Sequence, residues 1–127
     1  MNSPFEKESF WVADLALSEL RLFDHQSLLW LILVPKRENV VELIDLSEKD
    51  RLDLWAEITR VSHFLKDNFP CDKLNIATLG NIISQLHIHV IARRFDDPYF
   101  PKSPFGYERL PYTLLEKNRL ITKLQGL

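Results

Sequence analysis

Two of the chain's four histidines stand two residues apart in the segment Ser84-Gln85-Leu86-His87-Ile88-His89-Val90-Ile91-Ala92-Arg93. Apolar and polar residues alternate there, which is the period of a β-strand with one face in a core. Leu86, Ile88, Val90 and Ala92 take the buried face. Gln85, His87, His89, Ile91 and Arg93 take the other, predicted as an exposed row with alternate residues about 7 Å apart. Imidazole exchanges a proton near neutral pH, and its free nitrogen is a competent nucleophile. Such a row can attack phosphorus and form a covalent phospho-histidine. It can bind a metal as His-x-His, or it can be a polar sheet face with no chemistry. Spacing alone leaves all three open. No Asp, Glu, Cys or third His lies in the same strand or its hairpin, which weighs against a catalytic zinc with its usual three protein ligands. Remote ligands such as Asp24 or His25 remain open.

The elements that must position this row follow from periodicity and punctuation. Residues 18–23 alternate as a half-buried strand, Asp24-His25-Gln26-Ser27 is a turn, and 28–34 is a continuous apolar run stopped by Pro35, so the two runs suggest a hairpin. Residues 47–68 read as the main helix: Ser47 is a favourable N-cap with Asp50 three residues on. Leu54/Trp55, Ile58, Val61/Ser62 and Leu65 make its apolar face, and Pro70 ends it. Strands are expected over 74–79 and 82–93, joined at Gly80-Asn81 as a hairpin turn. Residues 96–106, rich in proline and aromatics, read as an ordered loop, and 112–125 as a second, partly amphipathic helix. Strands, helix, strands, helix make an α+β domain.

At 127 residues the chain is the size of one domain, taken as 1–127, with no internal repeat. A net charge of −2 argues against a nucleic-acid binder, because the basic runs Lys36-Arg37 and Arg93-Arg94 can each hold a phosphate or two, not a duplex. Cys71 is alone, so no intrachain disulfide forms, which suits a reducing, cytoplasmic setting. The polar N-terminal run Met1–Glu8 is unlike a signal peptide, and the apolar run 28–34 is too short to span a membrane.

Gln85-Leu86-His87-Ile88-His89-Val90-Ile91 resembles the signature of the histidine triad (HIT) family, His-φ-His-φ-His-φ-φ with φ apolar, with Gln85 in place of the first histidine. Leu33-Val34-Pro35-Lys36-Arg37 resembles the family's strand ending in Val/Ile-Pro-Lys, and the helix at 47–68 falls where the family's long helix falls. The resemblance covers roughly residues 10–95, with 96–127 a C-terminal loop and helix outside the common core. It implies a HIT-like antiparallel sheet with one long helix packed on it. It implies that His87 is a nucleophile attacking an α-phosphorus, that a nucleotidyl-histidine forms, and that water then releases the nucleoside monophosphate. His89 would contact the phosphate and assist departure of the leaving group, and no metal or other cofactor is required. Gln85 cannot shuttle a proton but can orient the site by hydrogen bonds. Trp30 stands where many relatives carry a polar residue or histidine.

Four further residues are candidates for substrate binding. Asn81 can give its amide to a phosphate or serve as a turn residue. Asn75 joins or leaves the histidine face according to hairpin register: a two-residue turn puts it on the far side, a three-residue turn alongside Gln85. Asp24 can hold ribose hydroxyls, as an acidic residue does in relatives, or close a turn. Arg93 can hold a distal phosphate or end a strand in solvent. His25 and His63 read as non-catalytic. The expected function is a nucleotide hydrolase acting on nucleoside phosphoramidates or dinucleoside polyphosphates. The alternatives are a nucleotide-binding module with little turnover and a metal-dependent hydrolase using His87 and His89. Relatives imply a homodimer.

Overall fold

The computed structural model describes residues 3–127; Met1 and Asn2, which begin the polar N-terminal run, lie outside the described residues. The elements are β1 (Ser9–Asp14), β2 (Ser18–Phe23), β3 (Leu29–Pro35), α1 (Glu48–Asn68), β4 (Lys73–Ala77), β5 (Ile88–Arg93) and α2 (Leu114–Leu124). The strands form one antiparallel sheet in the order β1-β2-β3-β5-β4. Strand β5, which carries His89 and follows directly on His87, is therefore interior, and β4 is an edge.

Local signals explain the helices. The Ser47 hydroxyl accepts the Asp50 N–H at 3.1 Å, and Thr113 caps α2 through the Glu116 N–H at 3.2 Å. α1 ends with Phe69 extended ahead of Pro70. Leu54, Ile58, Val61 and Leu65 line its inner face and meet Leu20, Leu22, Leu31, Leu33, Ile88, Val90 and Ala92 from the sheet. Each such leucine contributes about 2 kcal/mol by leaving water. Trp55, expected on this face, is instead 64% exposed; one residue on from Leu54, it is turned about 100° around the helix axis. α2 closes the same core through Leu124, with Leu120 and Ile121 packed against it.

The structure departs from the sequence expectation in three further places. Strand β1 was not anticipated, because a register shift between Trp11 and Ala13 breaks its alternation. Gly80-Asn81 does not close a tight hairpin: β4 stops at Ala77 and β5 starts at Ile88. The backbone between them bonds elsewhere. The Leu86 N–H donates to the Val40 carbonyl at 2.9 Å, and the Thr78 hydroxyl to the His87 carbonyl at 2.9 Å. Third, the histidine face is buried. Phe5, Leu28, Trp30, Ile32, Val34 and Ile91 form a second core there, with Phe23, Ile83, Tyr99 and Phe105 against it. No helix among the described residues is long and apolar enough to cross a membrane.

Candidate active site

The second core is incomplete, and the gap is a cleft of about 700 Å3 with His87 and His89 in its wall. Phe5, Phe23, Trp30 and Phe105 make it largely aromatic. Each wall is held by identifiable contacts. Phe5 lies in a short 3-10 turn capped by Ser3; the Ser9 hydroxyl donates to the Phe5 carbonyl. The buried Arg21 guanidinium clamps Ser9 from β2, with Nε to Oγ at 2.8 Å and Nη2 to the main-chain oxygen at 3.0 Å. Trp30 reaches the histidine face because β3 pairs with β5 in the register Trp30–Ile91 and Ile32–His89. Partners across an antiparallel pair share a face. Phe105 comes from the loop after β5. That loop is anchored by Asp97, whose carboxylate accepts the Tyr99 and Phe100 N–H groups at 3.0 and 2.8 Å.

The two histidines are 5% and 7% exposed, and their ring centroids are 4.9 Å apart. His87 Nδ1 lies 2.7 Å from the main-chain oxygen of Gln85. A carbonyl only accepts, so Nδ1 carries the proton and Nε2 of the neutral ring keeps its lone pair. His89 has the opposite tautomer. Its Nδ1 accepts the indole N–H of Trp30 at 2.8 Å, so Nε2 carries the proton. Burial, and then the neighbouring His87, lower the His89 pKa to about 4. His89 is therefore a neutral donor at physiological pH. Side by side, the cleft presents one nitrogen nucleophile and one N–H donor.

The other residues expected in the site divide between cleft and scaffold. Asn81 lines the cleft. Gln85 precedes β5, and its side chain donates to the carbonyls of Pro35 and Arg37 at 3.3 and 3.4 Å. It does not continue the histidine row. Asn75 pairs with Ile91 and so shares the histidine face, but its oxygen accepts from Arg93 at 2.9 Å. Arg93 is not a solvated strand end: its side chain is 1% exposed and forked onto Asp97 at 2.8 and 3.1 Å. Asp24 accepts the Tyr112 N–H at 2.8 Å and the Arg109 guanidinium at 3.0 Å, which ties the β2–β3 turn to the C-terminal segment. Neither Arg93, Asp24 nor Asn75 lines the cleft. Among the described residues, no three His, Cys, Asp or Glu side chains are grouped to hold a metal ion.

A match to the HIT domain model spans residues 5–96. This chain belongs to the HIT family. Solved structures agree along nearly its whole length. A histidine triad protein from Bradyrhizobium japonicum is 39% identical with a TM-score of 0.94, covering 99% of this chain and 95% of that one. Another from Sinorhizobium meliloti is 33% identical with a TM-score of 0.94, covering 99% and 94%. The fold is also shared by a hypothetical histidine triad nucleotide-binding protein from Sulfolobus tokodaii, 21% identical with a TM-score of 0.72, covering 95% and 84%. Among curated proteins, none matches. The HIT match ends just after β5, yet the two rhizobial structures also cover the loop and α2, so the segment that carries Phe105 is shared with them.

Sequence reasoning missed Phe5, Phe23, His25 and Phe105 as cleft residues and Trp30 as a partner of His89. Parity along β3 was the usable signal. With Val34 and Ile32 on one face, Trp30 shares it, and only the pairing of β3 with β5 was needed to set it beside a histidine. His25 is fully buried, with Nδ1 accepting the Leu110 N–H at 3.2 Å and Nε2 beside the Tyr99 hydroxyl at 3.3 Å. Burial is the first cause of its lowered pKa. Nothing local in the sequence announces contacts to residues so distant in the chain.

Proposed function

We propose that the chain is a nucleotide hydrolase of histidine triad type, cleaving nucleoside phosphoramidates or dinucleoside polyphosphates. One observation carries the reading: His87 has its Nδ1–H fixed on the Gln85 carbonyl while its ring lines the cleft, leaving Nε2 as the attacking nitrogen. Nε2 bonds to the α-phosphorus, and the bond to the leaving group breaks with its electron pair. The Gln85 carbonyl faces the positive charge that develops on the imidazole. His89 Nε2–H is a donor for oxygen on the phosphorus. Water then attacks phosphorus and returns the lone pair to Nε2. In this scheme the main chain of Gln85 acts at the site, and its side chain pins the segment to the end of β3. The aromatic walls suit a nucleobase, and in this reading Asn81, which lines the cleft, gives its amide to a phosphate. Asp24, Asn75 and Arg93 support these walls. The nucleotide-binding neighbour from Sulfolobus tokodaii is consistent with a nucleotide ligand.

A binding module with little turnover is the second reading. It is favoured by the first motif position, where Gln85 offers no proton and faces away from the cleft. We place the protein in the cytoplasm, on its single free cysteine, and as a homodimer, on the exposed apolar residues of α1 and β4. The test is incubation with an adenosine phosphoramidate and with diadenosine polyphosphates in the presence of chelator, followed by intact mass for a nucleotidyl adduct. Adduct and AMP release that vanish in His87→Ala establish the hydrolase. Bound nucleotide with neither adduct nor turnover establishes the binding module.

A further inference from the structure

One neighbour fixes the proton on His89. The Trp30 indole N–H is a donor only and occupies Nδ1 at 2.8 Å. The remaining ring neighbours are His87 at 4.9 Å and Phe105 at 4.9 Å between centroids. A charged imidazolium carries protons on both nitrogens, so charging His89 would set N–H against N–H in a buried site and break the Trp30 bond. We propose that Trp30 is a positioning residue that holds His89 as an uncharged Nε2–H donor, and that the cleft therefore turns over nucleotide conjugates joined through a phosphorus–oxygen anhydride in preference to phosphoramidates of alkyl amines. The inference rests on the hydrolase reading and selects between its two substrate classes.

The chemistry follows from the leaving group. When a phosphorus–oxygen anhydride is cleaved, the His87 Nε2–P bond forms and the P–O bond breaks. The oxygen departs with the electron pair as a phosphate or carboxylate anion, and a hydrogen bond from a neutral N–H is sufficient help. When a P–N bond is cleaved, the nitrogen must gain a proton, because an alkylamide anion does not depart in water. That proton needs an acid. His89 is the donor beside the nucleophile and cannot supply one without acquiring a charge; its lowered pKa, from burial and then from His87, agrees with the geometry. The Gln85 side chain is engaged with the carbonyls of Pro35 and Arg37. The other titratable groups lining the cleft are His25, Lys7, Glu8 and Tyr107. His25 is held between Leu110 and Tyr99. Glu8 is paired with Arg109 at 3.7 Å. Lys7 stands on the exposed N-terminal turn, and Tyr107 packs on Tyr99 with centroids 4.4 Å apart.

The experiment compares kcat/KM for diadenosine tetraphosphate and for an adenosine 5′-phosphoramidate of an alkyl amine, from about pH 5 to 8. It uses the full chain, Trp30→Phe and Trp30→His. Lack of a general acid predicts a preference for the anhydride of about 100-fold or more. Either variant, having lost the indole donor, narrows that preference about ten-fold, chiefly at the acidic end, where a freed Nδ1 takes a proton. Nitrogen-15 NMR of the unmutated protein reads the tautomer without any variant, and the expected state is Nδ1 bare and Nε2 protonated. A His89 that is protonated at Nδ1, or a preference unchanged by both variants, overturns the role of Trp30. Comparable turnover of both substrates overturns the substrate assignment while leaving His87 as the nucleophile. No adduct and no AMP from either substrate overturns the hydrolase reading and this inference with it.

Discussion

Replacing Asp97 with asparagine should cost about 3–5 kcal/mol of stability, the range for breaking a buried ion pair from one side. The structure gives the reason. Both side chains of the Arg93–Asp97 pair are essentially sealed from solvent, at 1% and 0% exposure. The carboxylate takes two guanidinium bonds and also the N–H groups of Arg94, Tyr99 and Phe100. Burial alone would raise the Asp97 pKa. Hydrogen bonds from Arg93, Tyr99 and Phe100 outweigh it and hold the group at about 2, below its ordinary 3.8. At ~1.4 kcal/mol per unit, that difference alone is about 2.5 kcal/mol of linked stability. Asparagine keeps the shape but leaves the Arg93 charge buried without a counter-charge, which adds to the loss. The assay is equilibrium urea unfolding at neutral pH, with a lower midpoint and an unchanged slope. The pH dependence has a definite sign. The folded pKa is depressed, so this stability is fully present above about pH 3.8 and is lost as pH falls through about 2; the gap between the two proteins must shrink over that window. Arg93→Met with Asp97→Leu should recover only part of the loss: no unpaired charge remains, but the N–H groups of Arg94, Tyr99 and Phe100 and the Asn75 side-chain oxygen lose their partner. A cost below about 1 kcal/mol for Asp97→Asn, in the range of an exposed pair, would refute the view that this pair anchors the loop.

Three further outcomes are expected. His89, with its pKa depressed from 6.5 to about 4, makes folding weaken as pH falls from the first value through the second, by up to about 3 kcal/mol; urea midpoints across that range should show the loss, and His89→Phe should lack it. Phe105→Ala removes an aromatic wall from Trp30 and His89 but only a partly buried side chain, so KM for a nucleotide substrate should rise several-fold while stability changes by about 1 kcal/mol. Ile76, on edge strand β4, pairs with Val90 and so faces the α1 side, where Trp55 and Leu52 are also exposed. If that side is the dimer interface, Ile76→Lys should convert a dimer to a monomer in sedimentation, and an unmutated protein that sediments as a monomer removes the interface altogether.

How much of this was legible in the sequence depended on whether a signal was local. The apolar face of β5 was read from alternation alone, and Leu86, Ile88, Val90 and Ala92 do lie in the main core. The Ser47 cap and the stop at Pro70 fixed α1 to within a residue. Residues 78–87 failed because Gly80-Asn81 looks like a tight turn, whereas the Leu86 N–H finds its partner at the Val40 carbonyl and the Gln85 side chain finds its partners at the carbonyls of Pro35 and Arg37, contacts that no window of the sequence displays. Arg93, at a strand end, carried no local sign that Asp97 would fold back to seal it. The depth of the histidines was likewise hidden, because the layer above them comes from both ends of the chain, Phe5 before β1 and Phe105 after β5.

The motif explains where the two histidines are; their tautomers come from groups other than the motif's own side chains. The His87 proton is set by a main-chain oxygen, that of Gln85, and a main-chain oxygen is present whatever side chain stands at that position. Glutamine there therefore does not remove the contact that directs Nε2 toward the cleft. The His89 proton is set by Trp30, from a strand far away in sequence. The two rings, alike in type and two residues apart at the start of β5, are thereby given opposite roles, lone pair and donor. Exchange of glutamine for histidine at position 85 adds a titratable group without altering either tautomer contact. Gln85→His is accordingly expected to leave the yield of nucleotidyl-His87 adduct nearly unchanged, whereas Trp30→Phe changes leaving-group preference; adduct formation that depends strongly on the residue at 85 would mean that its side chain, not its carbonyl, governs the nucleophile.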